Sequence, residues 1–244
     1  MHMQAVTGVG EQVSNPQTLP WSGIDAGAGC GLRTERWPFS LRIARTQADL
    51  AKVIEIRHSA YARHLPEPMC AAFRRPEASD TAPGCYLLLA ESKLDGSPLG
   101  TMRIQTNAAA PLMLQSAIEL PAWMQGKRLA EATRLGVTNA MTGRLVKAAL
   151  FKAFYALCLD RDVDFMVIAA RSPVDRQYVR LLFQDVYPGM GGIPLSYAFN
   201  LPHRVLYLDV KRVREQWEAA SHPMLDFMCY TNHPDLQIGE PGRA

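Results

Sequence analysis

A chain of 244 residues, of which 48% are hydrophobic and 20% charged, has the composition of an ordinary globular protein and the length of one domain, alone or with extensions. Its formal net charge of +3 suits an acidic partner, but it is too weak to indicate a protein that binds nucleic acid. No apolar run approaches the roughly 20 residues that span a membrane, and residues 1–22 lack the basic and apolar regions of a signal peptide. We therefore expect a cytoplasmic protein without a transmembrane segment.

The cysteines and histidines form no recognisable metal or disulfide pattern. The five cysteines are odd in number and widely scattered, and no C-x-x-C pair occurs among them. The histidines share no spacing that is typical of metal ligands. The sequence thus predicts neither a metal site nor a disulfide framework.

Composition and apolar spacing divide the chain into a central domain and two extensions. Residues 1–40 are rich in glycine and proline and predict a flexible N-terminal extension, and residues 216–244 are predicted to be a C-terminal extension. Residues 41–215 alternate between strand and helix patterns, which predicts a mixed α/β domain. In chain order the predicted elements are a strand at 41–43, a helix at 47–63, strands at 86–91 and 99–105, a strand at 129–138, a helix at 143–159, a strand at 165–170, a helix at 174–183 and a strand at 203–210.

Two of the predicted strands carry charged residues where apolar ones are expected. The segment from Gly100 to Arg103 places an arginine in the hairpin, and the segment from Glu131 to Arg134 places an acid and an arginine in the next strand. A buried arginine or glutamate needs a partner or a function, because removing a lone charge from water costs several kcal/mol. An enzyme that joins an amine to an acyl group needs such residues, to orient a carboxylate and to accept a proton. The pattern therefore indicates an acyltransferase.

Two further groups of polar residues lie earlier in the chain. Arg57 and Tyr61 are four residues apart at the end of the first predicted helix. Glu77 and Asp80 are three residues apart, in the proline-containing loop that precedes the strand at 86–91. A loop of this length inside a domain is often functional.

Together with the two strand motifs, these groups resemble the acyl-homoserine-lactone synthases and the N-acyl amino acid synthases. Both are GNAT-like enzymes that take a fatty acyl chain from acyl carrier protein, and the resemblance covers roughly residues 41–210 in element order. It implies a central twisted mixed sheet flanked by helices, with splayed central strands. It also implies that Arg57, Tyr61, Glu77 and Asp80 bind the substrate.

Three departures favour the N-acyl amino acid synthases within this resemblance. The first loop acid is Glu77, where the lactone synthases favour aspartate. No counterpart of their tryptophan follows the first helix. Leu135 follows the Glu-x-x-Arg motif, where the lactone synthases usually have an aromatic residue. These differences put S-adenosylmethionine in doubt as the acceptor and favour a free amino acid.

Glu131 is the candidate general base, which would take a proton from the acceptor ammonium directly or through water. On a flat strand Glu131 and Arg134 would point to opposite faces, because side chains alternate with a period of two. A bulge would bring both to one face, and the resemblance implies such a bulge where the strands of GNAT proteins splay. The alternative is a structural ion pair between Glu131 and Arg134.

Arg103 and Arg134 are candidates to hold the carboxylate of an amino acid, because a guanidinium group presents two parallel donors. With Glu131 they form the predicted catalytic set. For Arg103 the alternative is a solvated arginine on an edge strand. For Arg57 a position near a helix C-terminus is an equally good explanation, since the helix dipole favours a cation there.

The start of the long helix is the candidate site for the acyl donor. Coenzyme-A-using GNAT proteins carry a Q/R-x-x-G-x-G/A loop here, whereas this chain has only Gly143 after Thr142. The missing pattern disfavours coenzyme A, whose pyrophosphate needs several free amides. Arg144 and Lys147 oppose the helix dipole in the first turns, so they indicate either a docking site for the phosphopantetheine and acyl carrier protein or a solvated basic face.

The sequence therefore predicts an N-acyltransferase that forms an amide between a long-chain acyl group and a free amino acid. The donor would be the phosphopantetheine thioester of acyl carrier protein, and no tightly bound cofactor or metal is expected. Two alternatives stay open. One is a lactone synthase that uses S-adenosylmethionine, and the other is a non-catalytic GNAT-like domain that binds acyl carrier protein.

Overall fold

The computed structural model describes residues 33–239 of the chain. This part contains eleven strands and six α-helices. The strands are β1 (Arg33–Thr34), β2 (Phe39–Ile43), β3 (Cys85–Ser92), β4 (Pro98–Thr106), β5 (Leu129–Val137), β6 (Phe165–Ala170), β7 (Gln184–Asp185), β8 (Ile193–Leu195), β9 (Leu201–Asp209), β10 (Thr231–Asn232) and β11 (Leu236–Gln237). The helices are α1 (Gln47–Ala62), α2 (Glu67–Cys70), α3 (Met113–Ala117), α4 (Gly143–Asp160), α5 (Asp175–Arg180) and α6 (Val213–Ala219). Short 3-10 turns lie at Ala71–Arg74, Ala78–Thr81, Ala122–Met124 and Ser196–Ala198, and a π-helical turn lies at Asp226–Tyr230.

These elements confirm the predicted mixed α/β fold. Helix α1 begins where a reciprocal cap satisfies its first amides: the Asp49 amide donates to the Thr46 hydroxyl, and the Asp49 carboxylate accepts from the Thr46 amide. The helix predicted at 174–183 is shorter than expected and ends at Arg180. The chain leaves the helix there because Leu182 adopts a left-handed backbone with φ of 69°.

The central sheet is mixed, with the strand order β11-β2-β3-β4-β5-β6-β9-β7, and β8 pairs with β9. Strands β2 to β5 pair antiparallel, whereas β5 and β6 run parallel. The parallel pairing runs from Leu129 with Phe165 to Ala132 with Ile168, and β5 then continues to Val137 without β6. The two strands therefore separate after Ala132, which agrees with the splay that the resemblance implies.

Helices α1 and α4 cover opposite faces of the sheet, and a glycine lets each approach closely. A Cβ at Gly100 of β4 would lie 2.5 Å from Cγ1 of Val146 in α4. A Cβ at Gly136 of β5 would lie 3.0 Å from the Cβ of Ala60 in α1. The main core lies between the sheet and α4, which buries an apolar stripe that includes Val146 and Leu150. Helix α1 lies on the face that carries the charged residues of β4 and β5.

The predicted division into a domain at 41–215 and two extensions stays a prediction. Residues 1–32 and 240–244 lie outside the described residues, and with them most of the N-terminal extension expected at 1–40. Within the described part, β11 pairs with β2 in parallel, so chain beyond residue 215 belongs to the sheet. No helix in residues 33–239 is long and apolar enough to cross a membrane.

Candidate active site

Strand β5 has a bulge at Arg134, which is needed if Glu131 and Arg134 are to lie on the same face of the sheet. Between two neighbouring pairings, β5 advances three residues while β4 advances two. Arg134 has a left-handed backbone with φ of 55°, which a non-glycine residue adopts only at an energetic cost. The extra residue brings the Arg134 side chain to the same face as Glu131, so the predicted bulge is confirmed.

Three arginines from three elements converge on Glu77 and Asp80. Arg57 of α1 donates two hydrogen bonds to the Asp80 carboxylate, at 2.9 and 2.8 Å. Arg134 holds both oxygens of Glu77 through Nε and Nη2, each at 2.7 Å. Arg103 of β4 bridges the acids, because its Nη1 lies 3.0 Å from Glu77 and 3.1 Å from Asp80. We call these five residues, Arg57, Glu77, Asp80, Arg103 and Arg134, the ion cluster. The ion cluster fixes the turn at Ala78–Thr81 over the sheet.

The charges of the ion cluster are mutually stabilised. Burial by itself raises the pKa of Glu77 and of Asp80, but the hydrogen bonds and charges of the arginines outweigh it and hold both pKa values below their usual range. Burial lowers the pKa of Arg134, and its hydrogen bonds to Glu77 more than compensate. Both acids are therefore ionised at neutral pH, and three guanidinium groups face two carboxylates.

Glu131 is buried beside the ion cluster but is bonded to other groups. Its Oε2 accepts the Leu114 amide at 3.1 Å, and its Oε1 accepts the Tyr197 hydroxyl at 2.8 Å. Burial raises the pKa of Glu131, although these two hydrogen bonds and the nearby charges of Arg103 and Arg134 act in the opposite direction. Within residues 33–239, Arg134 pairs with Glu77 and forms no ion pair with Glu131. The alternative of a structural Glu131–Arg134 pair is therefore wrong.

A cavity of about 100 Å³ lies where β5 and β6 separate. One part of its wall is polar and includes Arg134 and the hydroxyl-bearing residues Thr133 and Tyr197. The rest is mainly aromatic or apolar, and the Arg134 guanidinium lies 5.1 Å from the centre of the Phe73 ring. The remaining lining residues are Tyr61, Leu65, Ala169, Arg171, Ala198, Phe199, Leu201 and His203.

The predicted site residues fall into two groups around this cavity. Arg134 and Tyr61 line it. Arg57, Asp80 and Arg103 lie behind it, and their side chains are fully buried. Glu77 is partly exposed and joins the two groups through Arg134.

Arg103 does not lie where a direct clamp on a substrate would need it. Its Nε donates to the Thr133 hydroxyl at 3.0 Å, its Nη1 meets the two acids, and its Nη2 meets the Met113 sulfur at 3.1 Å. Because its donors are engaged and its side chain is buried, the geometry favours a positioning role. The alternative of a solvated edge-strand arginine is wrong, since β4 lies inside the sheet.

The four residues predicted at the start of α4 lie outside the cavity lining. A Cβ at Gly143 would collide with the carbonyl oxygen of Thr138, so this glycine serves close packing. Thr142 makes no side-chain cap on the helix. Lys147 is half-buried and donates to Gln177 at 2.5 Å, and burial together with Arg144 lowers its pKa. Arg144 is exposed.

Several lining and contact residues were not predicted from the sequence. Tyr197 and Phe199 lie in the segment around the 3-10 turn at Ser196–Ala198, and Leu114 lies in the short helix α3. Neither segment has a period or a motif that marks it. A buried acid in a strand does imply that some donor must meet it, but the spacing does not say which. Within residues 33–239, no group of three or more His, Cys, Asp or Glu is placed to hold a metal ion.

Comparison with known protein families shows which family the chain belongs to. A family model described as N-acyl amino acid synthase FeeM matches residues 52–191, which is more than half of the chain. The chain belongs to this family. The match includes all five residues of the ion cluster and Glu131, whereas Tyr197 lies beyond it. No match was found among curated protein sequences.

Solved structures of low sequence identity share the fold. The structure of FeeM, an N-acyl amino acid synthase from uncultured soil microbes, aligns with a TM-score of 0.60 at 20% identity, over 78% of this chain and 97% of that one. The acyl-homoserine lactone synthase BjaI, described as coenzyme-A-dependent and bound to S-adenosylmethionine and isopentyl-coenzyme A, aligns with a TM-score of 0.55 at 15% identity. That alignment covers 80% of this chain and 93% of BjaI. The GNAT fold expected from the sequence is thus confirmed, and membership of the N-acyl amino acid synthase family makes the chain an N-acyltransferase.

Proposed function

We propose that this protein transfers a long-chain fatty acyl group from acyl carrier protein to the amino group of a free amino acid. The observation that carries the proposal is the position of Glu131, one hydrogen bond behind a cavity whose wall includes Arg134. A buried base and a cation beside one small opening suit an acceptor that has both an ammonium and a carboxylate.

Arg134 is the group that meets the acceptor carboxylate. Its Nε and Nη2 hold Glu77, so a substrate carboxylate would meet the third nitrogen, Nη1. The charged guanidinium of Arg134 lines the cavity, so it can attract an anion there. Arg57, Arg103 and Asp80 keep Glu77 and Arg134 in place.

The family match argues against the lactone synthase alternative, because the matching family model is described as an N-acyl amino acid synthase. The non-catalytic alternative is disfavoured by Glu131, because burying an ionisable carboxylate costs stability, and carboxylates with a raised pKa are typical of catalytic sites.

In the proposed reaction Glu131 accepts a proton from the acceptor ammonium. The free amine attacks the thioester carbonyl, the tetrahedral intermediate loses the phosphopantetheine thiol, and an amide remains. Its raised pKa makes Glu131 a stronger base than an exposed glutamate. No covalent bond to the enzyme is required, and the proposal needs no tightly bound cofactor.

Acyl carrier protein is proposed as the donor because of the start of α4. The Gly143 amide donates to the Ala140 carbonyl oxygen at 2.9 Å, so it is already engaged where a pyrophosphate cradle would need a free amide. Arg144 offers an exposed positive charge to an acidic carrier protein. The description of BjaI as coenzyme-A-dependent means that the fold alone does not choose between the two donors.

Mass spectrometry of lipids from a bacterium that expresses the chain tests the proposal. A culture expressing Glu131→Gln is the matched control. N-acyl amino acids in the first extract and not in the second are expected. Acyl lactones would favour the alternative enzyme, and an extract unchanged by expression would contradict both.

A further inference from the structure

Tyr197 stands between Glu131 and the cavity. Its side chain lines the cavity, and its hydroxyl donates to Oε1 of Glu131 at 2.8 Å. Glu131 itself is only 1% exposed, and its other oxygen is occupied by the Leu114 amide. A proton that leaves a substrate in the cavity therefore reaches Glu131 through the Tyr197 hydroxyl or has to displace it.

We propose that Tyr197 is the proton relay between the acceptor amine and Glu131, an inference that rests on the proposed amide-forming function. The acceptor ammonium gives one proton to Oη of Tyr197 while the Tyr197 hydroxyl gives its own proton to Oε1 of Glu131. The nitrogen lone pair then forms the C–N bond, the C–S bond breaks, and a second proton from nitrogen goes to the departing sulfur. Glu131 returns its proton to water after the products leave.

The surroundings of Tyr197 hold the hydroxyl in place for this step. The carbonyl oxygen of Tyr197 accepts a hydrogen bond from Nη2 of Arg134 at 3.4 Å. The chain then turns sharply, because Phe199 and Asn200 have left-handed backbones with φ of 59° and 54°. The Asn200 amide closes the turn on the Leu195 carbonyl at 2.9 Å. A relay needs this kind of fixed geometry within hydrogen-bond reach of its base.

The electrostatics suit a relay more than an independent base. Burial and then the charge of Glu131 raise the pKa of Tyr197 well above its usual value, so the phenol stays protonated. The titratable and charged groups that face Glu131 are Tyr197, Arg103 and Arg134. Of these, Tyr197 is the one that hydrogen-bonds Glu131 and also lines the cavity.

Tyr197→Phe is the first test, with the purified full chain, an acyl carrier protein thioester and an amino acid acceptor. We expect kcat to fall by about a hundredfold or more, as for loss of a positioned proton carrier. Adding Glu131→Gln to Tyr197→Phe should lower kcat little further, because both substitutions interrupt the same path of proton transfer. Tyr207→Phe is the matched control, since its hydroxyl donates to Gln184 away from the cavity, and it should keep the parent rate.

The pH profile shows whether the Tyr197 hydroxyl is coupled to Glu131 in the working enzyme. Removing the Tyr197 hydroxyl takes a donor from ionised Glu131, so its pKa rises and the acid limb of kcat/KM moves to higher pH. Difluorotyrosine at position 197 keeps the ring and the fold but is a more acidic donor, so the limb should move to lower pH. This second variant tests the relay even if Tyr197→Phe folds poorly.

The outcomes separate the relay from the proposed function. Amide from the parent chain together with an unchanged rate and acid limb in both Tyr197 variants would overturn the relay alone. The relay would also be overturned if the fold-loss of kcat in the double variant equalled the product of the losses in Tyr197→Phe and Glu131→Gln. A parent chain that forms no amide with any amino acid would overturn the proposed function, and the relay with it.

Discussion

The ionised form of Glu131 and the ionised forms of the two acids of the ion cluster contribute to stability with opposite sign. Glu131 has a raised pKa, so its ionised form is less stable in the folded protein than in the unfolded chain. Asp80 and Glu77 have lowered pKa values, so their ionised forms are stabilised by folding. Substitutions at the two kinds of acid should therefore have opposite effects on stability near neutral pH.

We predict that Glu131→Gln loses most turnover without loss of stability. Turnover should fall by roughly a hundredfold to ten-thousandfold, as for removal of a general base. The stability that protonated Glu131 contributes is complete below its unfolded pKa and is lost as pH rises through its folded pKa. Near neutral pH the glutamine should thus melt no lower than the parent, since its amide oxygen can still accept the Leu114 amide.

Steady-state rates and thermal melting at acidic and neutral pH check this prediction. The melting temperature of the glutamine variant, relative to the parent, should rise as the pH rises. An active variant that melts well below the parent would show that Glu131 is structural.

We predict that Asp80→Asn destabilises the protein by about 3–5 kcal/mol, because it removes the charge of the carboxylate that binds both terminal nitrogens of the buried Arg57. The remaining ion pair of Arg57, with Glu77, is longer at 3.3 Å. Glu67→Gln is the matched control, since it breaks the exposed ion pair with Arg74. It should cost at most about 1 kcal/mol. Urea unfolding measures both.

The acid dependence of stability is a second readout of the same substitution. Lowered pKa values mean that the stabilisation by Asp80 and Glu77 is present above their unfolded pKa and is lost as pH falls through their folded pKa. Asp80→Asn should weaken this loss on acidification. An Asp80→Asn variant as stable as the parent, with the same acid dependence, would refute the account of the ion cluster.

At the scale of elements, the bulge in β5 determines which side chains form the site. Without it Arg134 would point away from Glu131 and could not hold Glu77. Its left-handed backbone is a local strain, which the contacts of the guanidinium with Glu77 and Phe73 offset.

We predict that the order of stability of the glycine and alanine variants at Arg134 differs from their order at other positions of β5. Both Arg134→Gly and Arg134→Ala lose the guanidinium, but only alanine pays the left-handed cost of roughly 1–2 kcal/mol. Arg134→Gly should therefore be at least as stable as Arg134→Ala. In the neighbouring Ala132, whose backbone is not left-handed, Ala132→Gly should cost about 0.5–1 kcal/mol. Chemical unfolding measures the stability of the three variants. If the glycine variant is less stable than the alanine form at both positions, the backbone at Arg134 is not strained.

The sequence predicted this bulge only through the family resemblance. Strand periodicity alone placed Glu131 and Arg134 on opposite faces. Arginine is also not a residue that signals a left-handed backbone, so the position of the extra residue could not be read locally. The partners of the arginines were equally hidden, because Glu77 and Asp80 lie in a loop whose path depends on the contacts themselves.

At the scale of the whole molecule, the long periodic elements were predictable and the short ones were not. The helix Gly143–Asp160 and the strand Phe165–Ala170 follow from apolar patterns that burial requires. The two-residue strand Leu236–Gln237 has no pattern of its own and exists because β2 offers an edge. Tyr197 belongs to the same class, since only the folded chain brings it to Glu131.

We predict that the donor contacts one end of the molecule, at the start of α4. Arg144→Glu should raise the KM for the acyl carrier protein thioester, and more so at low salt, because exposed charges act at longer range there. Lys147→Glu should have a smaller effect of this kind, since Lys147 is bound to Gln177. Arg128→Glu is the control, because Arg128 is exposed and precedes the opposite end of β5. Equal KM values in all three variants would exclude docking at this site.

The central claim is that the protein acylates free amino acids, and product analysis with purified protein tests it most directly. The chain is given an acyl carrier protein thioester with an amino acid, and in parallel with the corresponding amino acid amide. The account predicts an N-acyl amino acid with one thiol released per amide formed. It also predicts a drop of about tenfold to a hundredfold for the amide acceptor, which lacks the charged contact to Arg134. No N-acyl amino acid, or equal rates with both acceptors, would contradict it.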